Sequence, residues 1–141
     1  MKIRQKPKSF GPVYISVDDE GILNFGESLD QVGQVTPDIS SPAVSLLYSL
    51  GSCIAISIQM AASKEKIFLQ PFHVKVRSEK AEDLPSRFGT FQVWVSDRLT
   101  EDKQQAKKLL KLAKSICTVS NTLNAEVHVS LEKTKGERVE P

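Results

Sequence analysis

The feature that most constrains this chain is an uncharged run at its centre. Residues 43–62 contain no Asp, Glu, Lys or Arg, and a helix of about 20 apolar residues is long enough to cross a bilayer. Small and polar residues dilute the run, however, and the rest of the chain has the patterns of ordinary strands and of an amphipathic helix. A helix that is apolar almost all round is also typical of a protein core. We therefore expect a buried core helix and no membrane association.

The start of this helix is marked by Ser41, a good N-cap residue, followed by Pro42 at the first helical position. The pattern continues to about residue 63. At 100° per residue, one side collects the apolar residues Leu46, Leu47, Leu50, Ile54, Ile58 and Ala61. The other side collects Ser45, Tyr48, Ser49, Ser52 and Gln59, and both Cys53 and Met60 fall on one boundary between the two sides. A small, uncharged polar face suits close packing or the lining of a pocket, with Ser49 and Ser52 as candidate lining residues.

The first third of the chain predicts a β-hairpin. Residues 13–17 and 22–25 have strand composition and flank the turn sequence DDEG. Residues 1–12 are expected to form an extended arm. Residues 26–41 are polar and rich in turn formers, which predicts an irregular loop with room for a short strand at 33–35.

The second half of the chain predicts three strands and one amphipathic helix. Alternation at 72–78 and 88–96 indicates two strands that form an antiparallel pair. Thr100 is the expected cap of a helix whose buried stripe ends at Cys117, and residues 118–124 indicate a further helical turn. Residues 125–131 alternate as a last strand, and a polar tail follows at 133–141. The chain therefore predicts a single α+β domain over residues 1–141.

Composition and charge exclude several classes of function. The net charge is +2 with 26% charged residues, which is too balanced to indicate nucleic acid binding. The lysines of the second helix are expected to form a solvated face. No apolar run follows the basic N-terminus, so we expect no signal peptide and a reducing, cytoplasmic location.

Cys53 and Cys117 are the only cysteines in the sequence. Two are too few for a disulfide scaffold, and in a reducing compartment they could be catalytic, sensing or simply packed. Lone cysteines in apolar helices are most often inert, so spacing alone leaves these alternatives open. His73 and His128 have no zinc-ligand spacing and occupy outward strand positions, so we expect no metal and no other cofactor.

Two segments that contain these cysteines resemble a known family. Residues 42–53, PAVSLLYSLGSC, resemble the cysteine helix of the OsmC/Ohr proteins, which are osmotically induced and organic-hydroperoxide-resistance proteins. Residues 113–132, AKSICTVSNTLNAEVHVSLE, resemble the second motif of that family, in which a cysteine ends a helix before the final strand. The similarity extends in order over nearly the whole chain.

The resemblance implies an α+β fold in which antiparallel sheets wrap around a long central helix in an intertwined homodimer. The active site would lie at the dimer interface. In the peroxidase members, the first cysteine reduces an organic hydroperoxide and becomes a sulfenic acid. The second cysteine then forms a disulfide with it, which a dithiol reduces. By this resemblance Cys53 is the peroxidatic residue and Cys117 the resolving one.

The sequence departs from the peroxidase pattern at two places. The peroxidases have a glutamate just after the proline that precedes the cysteine helix, where this chain has Ala43 and Val44. They also have an arginine in the N-terminal strands or the following loop, whereas no arginine lies between Arg4 and Arg77. A nearby cation is a main way to lower the pKa of a cysteine. The alternative function is therefore an OsmC-fold protein without peroxidase activity, which binds a small apolar ligand or a partner at the dimer interface.

Overall fold

The computed structural model describes residues 8–132 as one layer of sheet covered on one face by helices. A short 3-10 turn at Leu29–Gln31 precedes the long helix. In chain order, the strands and helices are β1 (Ser9–Val17), β2 (Leu23–Gly26), α1 (Pro42–Glu65), β3 (Phe72–Lys80), β4 (Phe88–Ser96), α2 (Lys103–Ile116), α3 (Thr118–Thr122) and β5 (Glu126–Glu132).

The five strands form one sheet in the order β2-β1-β3-β4-β5. The first three pairs are antiparallel, as the sequence predicts for β1–β2 and for β3–β4. The last pair, β4 and β5, is parallel. A parallel neighbour requires a crossover connection, and α2 and α3 provide it. The predicted α+β class is thus confirmed, with one sheet per chain and one parallel pair that the strand patterns did not indicate.

The N-terminus of α1 forms as predicted. The Ser41 side chain accepts a hydrogen bond from the backbone N–H of Val44 at 3.3 Å, and Pro42 is the first helical residue. The helix ends at Glu65, and the following cap residue, Lys66, adopts a left-handed conformation with φ of 58°. This is two residues beyond the predicted end at residue 63, which agrees within the usual fraying of helix ends.

The centre of α1 lies unusually close to the sheet. A Cβ atom at Gly51 would overlap the side chain of Ile15 in β1 and approach Val76 Cγ2 in β3 to 2.8 Å. Ten residues of α1 are buried, including Leu50 and Ile54. The helix has the length and composition of a membrane span, but its ten buried residues place it in the core of the domain, as predicted from the sequence.

Tyr48 corrects the predicted division of α1 into faces. It was placed on the polar side, but it is buried and packs edge-on against Phe25 with ring centroids 5.8 Å apart. The β1–β2 hairpin covers this side of the helix. Gln59, also placed on the polar side, donates a hydrogen bond to the Gly21 carbonyl in the hairpin turn at 3.0 Å. The helical period could not show which side the hairpin would cover.

Several predicted boundaries also differ. β1 begins at Ser9, within the predicted arm, and the register irregularity between Phe10 and Val13 accommodates Pro12. The optional strand at 33–35 is reduced to a single bridge between Phe25 and Gln34. The remainder of the arm and the tail, residues 1–7 and 133–141, lies outside the described residues.

The cap of α2 is Asp102, and Thr100 does not have that role. The Asp102 carboxylate accepts from the Gln104 N–H at 2.9 Å. Thr100 is buried, and its hydroxyl donates to the Asp102 carbonyl at 2.7 Å. Thr100 therefore stabilises the turn before the helix, while the more exposed carboxylate interacts with the free N–H groups at the helix start.

Candidate thiol site

Cys53 and Cys117 come together at the contact between α1 and α3. Cys53 lies in the middle of α1, and Cys117 ends α2 and caps α3. Cys53 packs against the buried cluster that contains Cys117 and lies close enough to influence the pKa of the Cys117 thiol, and both side chains are unbridged. Residues from separate helices thus place two reduced sulfur atoms side by side at the inner face of the sheet.

The backbone around Cys117 fixes the position of its sulfur. The Cys117 N–H donates to the Lys114 carbonyl at 3.4 Å, which closes the last turn of α2. The Cys117 sulfur accepts from the Ser120 N–H at 3.4 Å, which satisfies a free donor in the first turn of α3. The chain turns from α2 into α3 at this residue, so the thiol is held by both helices.

Burial raises the pKa of the Cys117 thiol from its ordinary value of 9.0 to about 11. Desolvation is the largest cause because the charged thiolate is disfavoured away from water. The hydrogen bond from the Ser120 N–H acts in the opposite direction. The hydrogen bond to Cys53 and the negative charge that Cys53 carries when ionised both raise the pKa of Cys117 further. Cys117 therefore holds its proton at neutral pH.

The two thiols differ in exposure. Cys117 is fully buried, whereas Cys53 is partly exposed. An oxidant arriving from solvent meets Cys53 first, and Cys117 is reached only from within the protein. This asymmetry gives the pair an accessible member and a sheltered member.

The exposed stripe of α1 beside Cys53 consists of Ser49, Ser52, Ile56 and Met60. Ile56 is 47% exposed and Met60 is 60% exposed, which is unusual for large apolar side chains. The Ser49 hydroxyl donates to the Ser45 carbonyl at 3.0 Å, and the Ser52 hydroxyl donates to the Ser49 carbonyl at 3.2 Å. Both hydroxyls are thus occupied by their own helix, which leaves a smooth, small and uncharged surface.

The predicted lining role of Ser49 and Ser52 needs a second surface. Four cavities among residues 8–132 lie elsewhere, and none of these four is lined by Ser49, Ser52, Cys53 or Cys117. The stripe forms one open wall, so a pocket next to Cys53 would require another protein surface opposite it. The pocket therefore stays a prediction.

The charged residues of β3 lie on the wrong face of the sheet to act on the thiols. Val76 and Ser78 are buried beneath the helices, so Arg77 between them points to the outer face, where it pairs with Glu79 at 3.5 Å. His73 alternates with buried neighbours in the same way. Arg77 and His73 of the same chain therefore cannot support a Cys53 thiolate.

The two histidines have different surroundings. His73, which was expected to be solvated, is half-buried, and its Nε2 lies 2.7 Å from a Glu132 carboxylate oxygen. His128 is exposed, as expected, with Glu126 at 3.2 Å. No three His, Cys, Asp or Glu side chains in residues 8–132 are clustered closely enough to hold a metal ion.

Sequence reasoning missed two parts of the site. The first is the Ser120 N–H that holds the Cys117 sulfur, although the helical pattern of residues 118–122 was a signal for a turn at that point. The second is Ile56, which lies on the exposed stripe together with Met60, the residue predicted to share a boundary with Cys53. Its spacing from Ser49 and Ser52 places it on the same stripe, and this was visible in the sequence.

The fold and the thiol pair define a class of protein: an α+β protein with two cysteines brought together behind a mixed sheet. The chain belongs to the OsmC-like protein family, which matches residues 36–132. This match includes both cysteines and every element from α1 to β5. No curated protein matches the chain.

Solved structures show the same fold at low sequence identity. An organic hydroperoxide resistance protein OsmC from Legionella pneumophila has a TM-score of 0.58 at 19% identity, over 65% of this chain and 69% of that one. An OsmC-like protein from Mycoplasma pneumoniae has a TM-score of 0.59 at 12% identity, over 86% and 95%. The organic hydroperoxide resistance protein OhrB of Bacillus subtilis has a TM-score of 0.53 at 19% identity, over 82% and 86%.

Proposed function

We propose that this protein is a cytoplasmic thiol-dependent peroxidase that reduces organic hydroperoxides. The observation that carries the proposal is the convergence of an accessible thiol, Cys53, and a sheltered thiol, Cys117, in one packed cluster. Family membership supports it, as do the two organic hydroperoxide resistance proteins among the structures of the same fold.

The first step consumes the hydroperoxide. The Cys53 thiolate attacks the distal oxygen of the hydroperoxide, so that an S–O bond forms and the O–O bond breaks. The alcohol leaves after taking up a proton, and Cys53 becomes a sulfenic acid. Sulfur is oxidised by two electrons, and the hydroperoxide is reduced by two.

The second step forms the disulfide. The Cys117 sulfur attacks the Cys53 sulfenic sulfur, the S–O bond breaks, and the Cys117 proton leaves with the hydroxyl as water. The raised pKa of Cys117 keeps this thiol protonated at neutral pH, so it gives up its proton only as the S–S bond forms. A dithiol reductant then restores both thiols through a mixed disulfide.

The test is single-turnover consumption of cumene hydroperoxide by the fully reduced protein. The wild type should consume one equivalent and lose both thiols. Cys53→Ser should consume none. Cys117→Ser should consume the first equivalent at the wild-type rate and stop at a sulfenic acid that a dimedone probe traps. Consumption by Cys53→Ser at the wild-type rate would contradict the proposal.

A second function is favoured by one specific observation. The sequence has no arginine between Arg4 and Arg77, and Arg77 points to the opposite face of the sheet from Cys53. Without a cation, the thiolate gains less stabilisation. On this reading the protein has the OsmC fold without peroxidase activity and binds a small apolar ligand beside Cys53. Slow oxidation of Cys53 together with retention of a co-purified apolar ligand would favour this alternative.

We propose that the second wall of the thiol site comes from a second copy of the chain. The exposed stripe of Ser49, Ser52, Ile56 and Met60 allows two α1 helices to approach closely, with apolar contacts at one end. Pairing of the stripes would bury Ile56 and Met60 and enclose Cys53. The homodimer would therefore form the pocket that one chain leaves open.

Sedimentation velocity tests this dimer. Ile56→Asp should dissociate it, because a buried unpaired carboxylate at an interface is strongly unfavourable. Phe68→Asp is the matched control, since Phe68 is 80% exposed and lies beyond the end of α1. It should leave the dimer intact. A wild-type protein that sediments as a monomer at all concentrations tested would overturn the proposal.

A further inference from the structure

A groove unrelated to the thiol pair runs between α2 and β5. It has a volume of about 550 Å³. Leu110 of α2 and Val129 and Leu131 of β5 form its apolar floor. One wall is a row of α2 lysines, Lys103, Lys107, Lys111 and Lys114.

The charges in this groove are not balanced from within. Asp97 and Glu132, the two carboxylates that line it, are already engaged with Lys103 at 3.5 Å and with His73 at 2.7 Å. Lys107, Lys111 and Lys114 form no ion pair with any residue from 8 to 132. The groove therefore has surplus positive charge next to an apolar floor.

The floor of the groove ends at an open sheet edge. β5 is the last strand in the order β2-β1-β3-β4-β5, and among the described residues only β4 pairs with it. Half of the backbone N–H and C=O groups of Glu126–Glu132 therefore point away from the sheet. Such an edge is a template for a further strand.

The spacing of the lysines matches the repeat of an extended chain. Lys107 and Lys111 are four residues apart on α2, which corresponds to a rise of about 6 Å along the helix. Residues on the same face of a strand are about 6.6 Å apart. A strand placed beside β5 would thus present every second side chain to the lysine row at nearly the interval of the lysines.

We propose that the edge of β5 binds an extended acidic segment of another protein, which adds as a sixth strand. Its backbone bonds to the open edge of β5, and carboxylates at every second position lie against Lys107, Lys111 and Lys114. The stems of these lysines and Leu110 pack against the aliphatic parts of the same side chains. An anionic amphiphile would neutralise the lysines and cover the apolar floor, but it would leave the open backbone groups of β5 hydrogen-bonded only to water. An acidic peptide interacts with the lysines, the floor and the backbone edge together.

The probe is a fluorescein-labelled peptide of about eight residues that alternates Glu and Thr, with blocked ends, titrated with the full-length protein. Fluorescence anisotropy should show saturable binding that weakens as salt is raised. A Gln and Thr peptide should bind at least about tenfold more weakly because it lacks the charges. A Glu and Pro peptide, which keeps the charge but has fewer backbone donors, should also bind at least about tenfold more weakly.

Two protein variants locate the binding site. Lys107→Gln/Lys111→Gln should weaken binding of the Glu and Thr peptide about threefold to tenfold, as expected for two partly exposed ion pairs. Lys64→Gln, a matched change in the exposed last turn of α1, should leave binding unchanged. Hydrogen exchange should show that the amides of β5 gain protection when the peptide is bound.

Three results would overturn the proposal. One is equal affinity for the Glu and Pro peptide, which would show attraction by charge alone. Another is binding without any added protection in β5. The third is displacement of the peptide by decanoate with an affinity that depends on Lys107 and Lys111, which would show that the groove is a site for an amphiphile. All three are independent of Cys53, so failure here leaves the proposed peroxidase function untouched.

Discussion

The two faces of the sheet carry different kinds of residue. The inner face, beneath the helices, is apolar along β4, where Phe91, Val93 and Val95 are fully or almost fully buried, and the two thiols lie on the helices that cover this face. The outer face carries charges and half-buried aromatic rings, such as Lys75 lying 5.0 Å from the ring centroid of Trp94. Because successive side chains of a strand point to opposite faces, charged residues of β3 such as Lys75 lie on the outer face and the buried valines of β3 and β4 lie on the inner face. The thiol chemistry therefore depends on the inner face and on whatever covers it, while the nearby charges of β3 serve the outer face alone.

The largest expected contrast between the faces lies within one strand. Phe91→Ala on the inner face should lower the free energy of unfolding by about 3–5 kcal/mol, because it removes a buried ring that packs against Phe88 with ring centroids 5.1 Å apart. Trp94→Ala on the outer face should cost about 1–2 kcal/mol, since the ring is only half-buried. Urea unfolding of both variants measures the difference. Equal losses would remove the distinction between the faces.

The close approach of α1 to the inner face gives the next contrast. Gly51→Ala should destabilise the protein by about 1–3 kcal/mol, because its Cβ overlaps Ile15 and lies 2.8 Å from Val76 Cγ2. Gly33→Ala is the control, since an added Cβ meets nothing within 4 Å. Its effect should stay within about 0.5 kcal/mol. Thermal unfolding of the two variants tests how closely α1 approaches the sheet. An unchanged stability in Gly51→Ala would contradict this close approach.

The buried thiol should make stability depend on pH in the alkaline range. The pKa of Cys117 is raised to about 11 in the folded protein, above its ordinary value of 9.0. The stabilisation is fully present below pH 9.0 and is lost as pH rises toward 11. The wild type should therefore lose about 1–3 kcal/mol more than Cys117→Ala between these limits. Parallel pH dependence of the two proteins in urea unfolding would show that Cys117 is not sheltered.

The smallest effect is expected on the outer face. Glu132→Gln removes the contacts to His73 at 2.7 Å and to Lys75 at 3.7 Å, both part-exposed. It should cost less than about 1 kcal/mol and leave the oxidation rate of Cys53 unchanged. A stopped-flow measurement with cumene hydroperoxide provides the rate. A large loss of rate would show that the two faces are coupled.

Much of the fold could be predicted because local signals agreed with the final structure. Ser41 and Pro42 marked the start of α1, and the alternation of residues 72–78 and 88–96 marked an antiparallel pair. The parallel pairing of β5 had no local signal, since an alternating strand has the same pattern in either direction. The burial of Tyr48 was also hidden, because it depends on the distant β1–β2 hairpin.

The site was less predictable from the residues alone. Spacing left open whether Cys53 and Cys117 were inert, and only the family resemblance brought them together. The structure adds what no pattern contains: the packing of Cys53 next to Cys117 and the Ser120 N–H that holds the Cys117 sulfur. Neither contact is encoded by residue type, because both depend on how α3 turns back against α1.

Peptide mapping after oxidation tests the central claim most directly. The reduced protein is treated with one equivalent of cumene hydroperoxide, alkylated, digested and analysed by mass spectrometry. The paired thiols predict a single cross-link that joins the peptide containing Cys53 to the peptide containing Cys117 of the same chain. If dimedone, added together with the alkylating reagent, traps Cys53 as a sulfenic acid while Cys117 is alkylated as a free thiol, this account is contradicted.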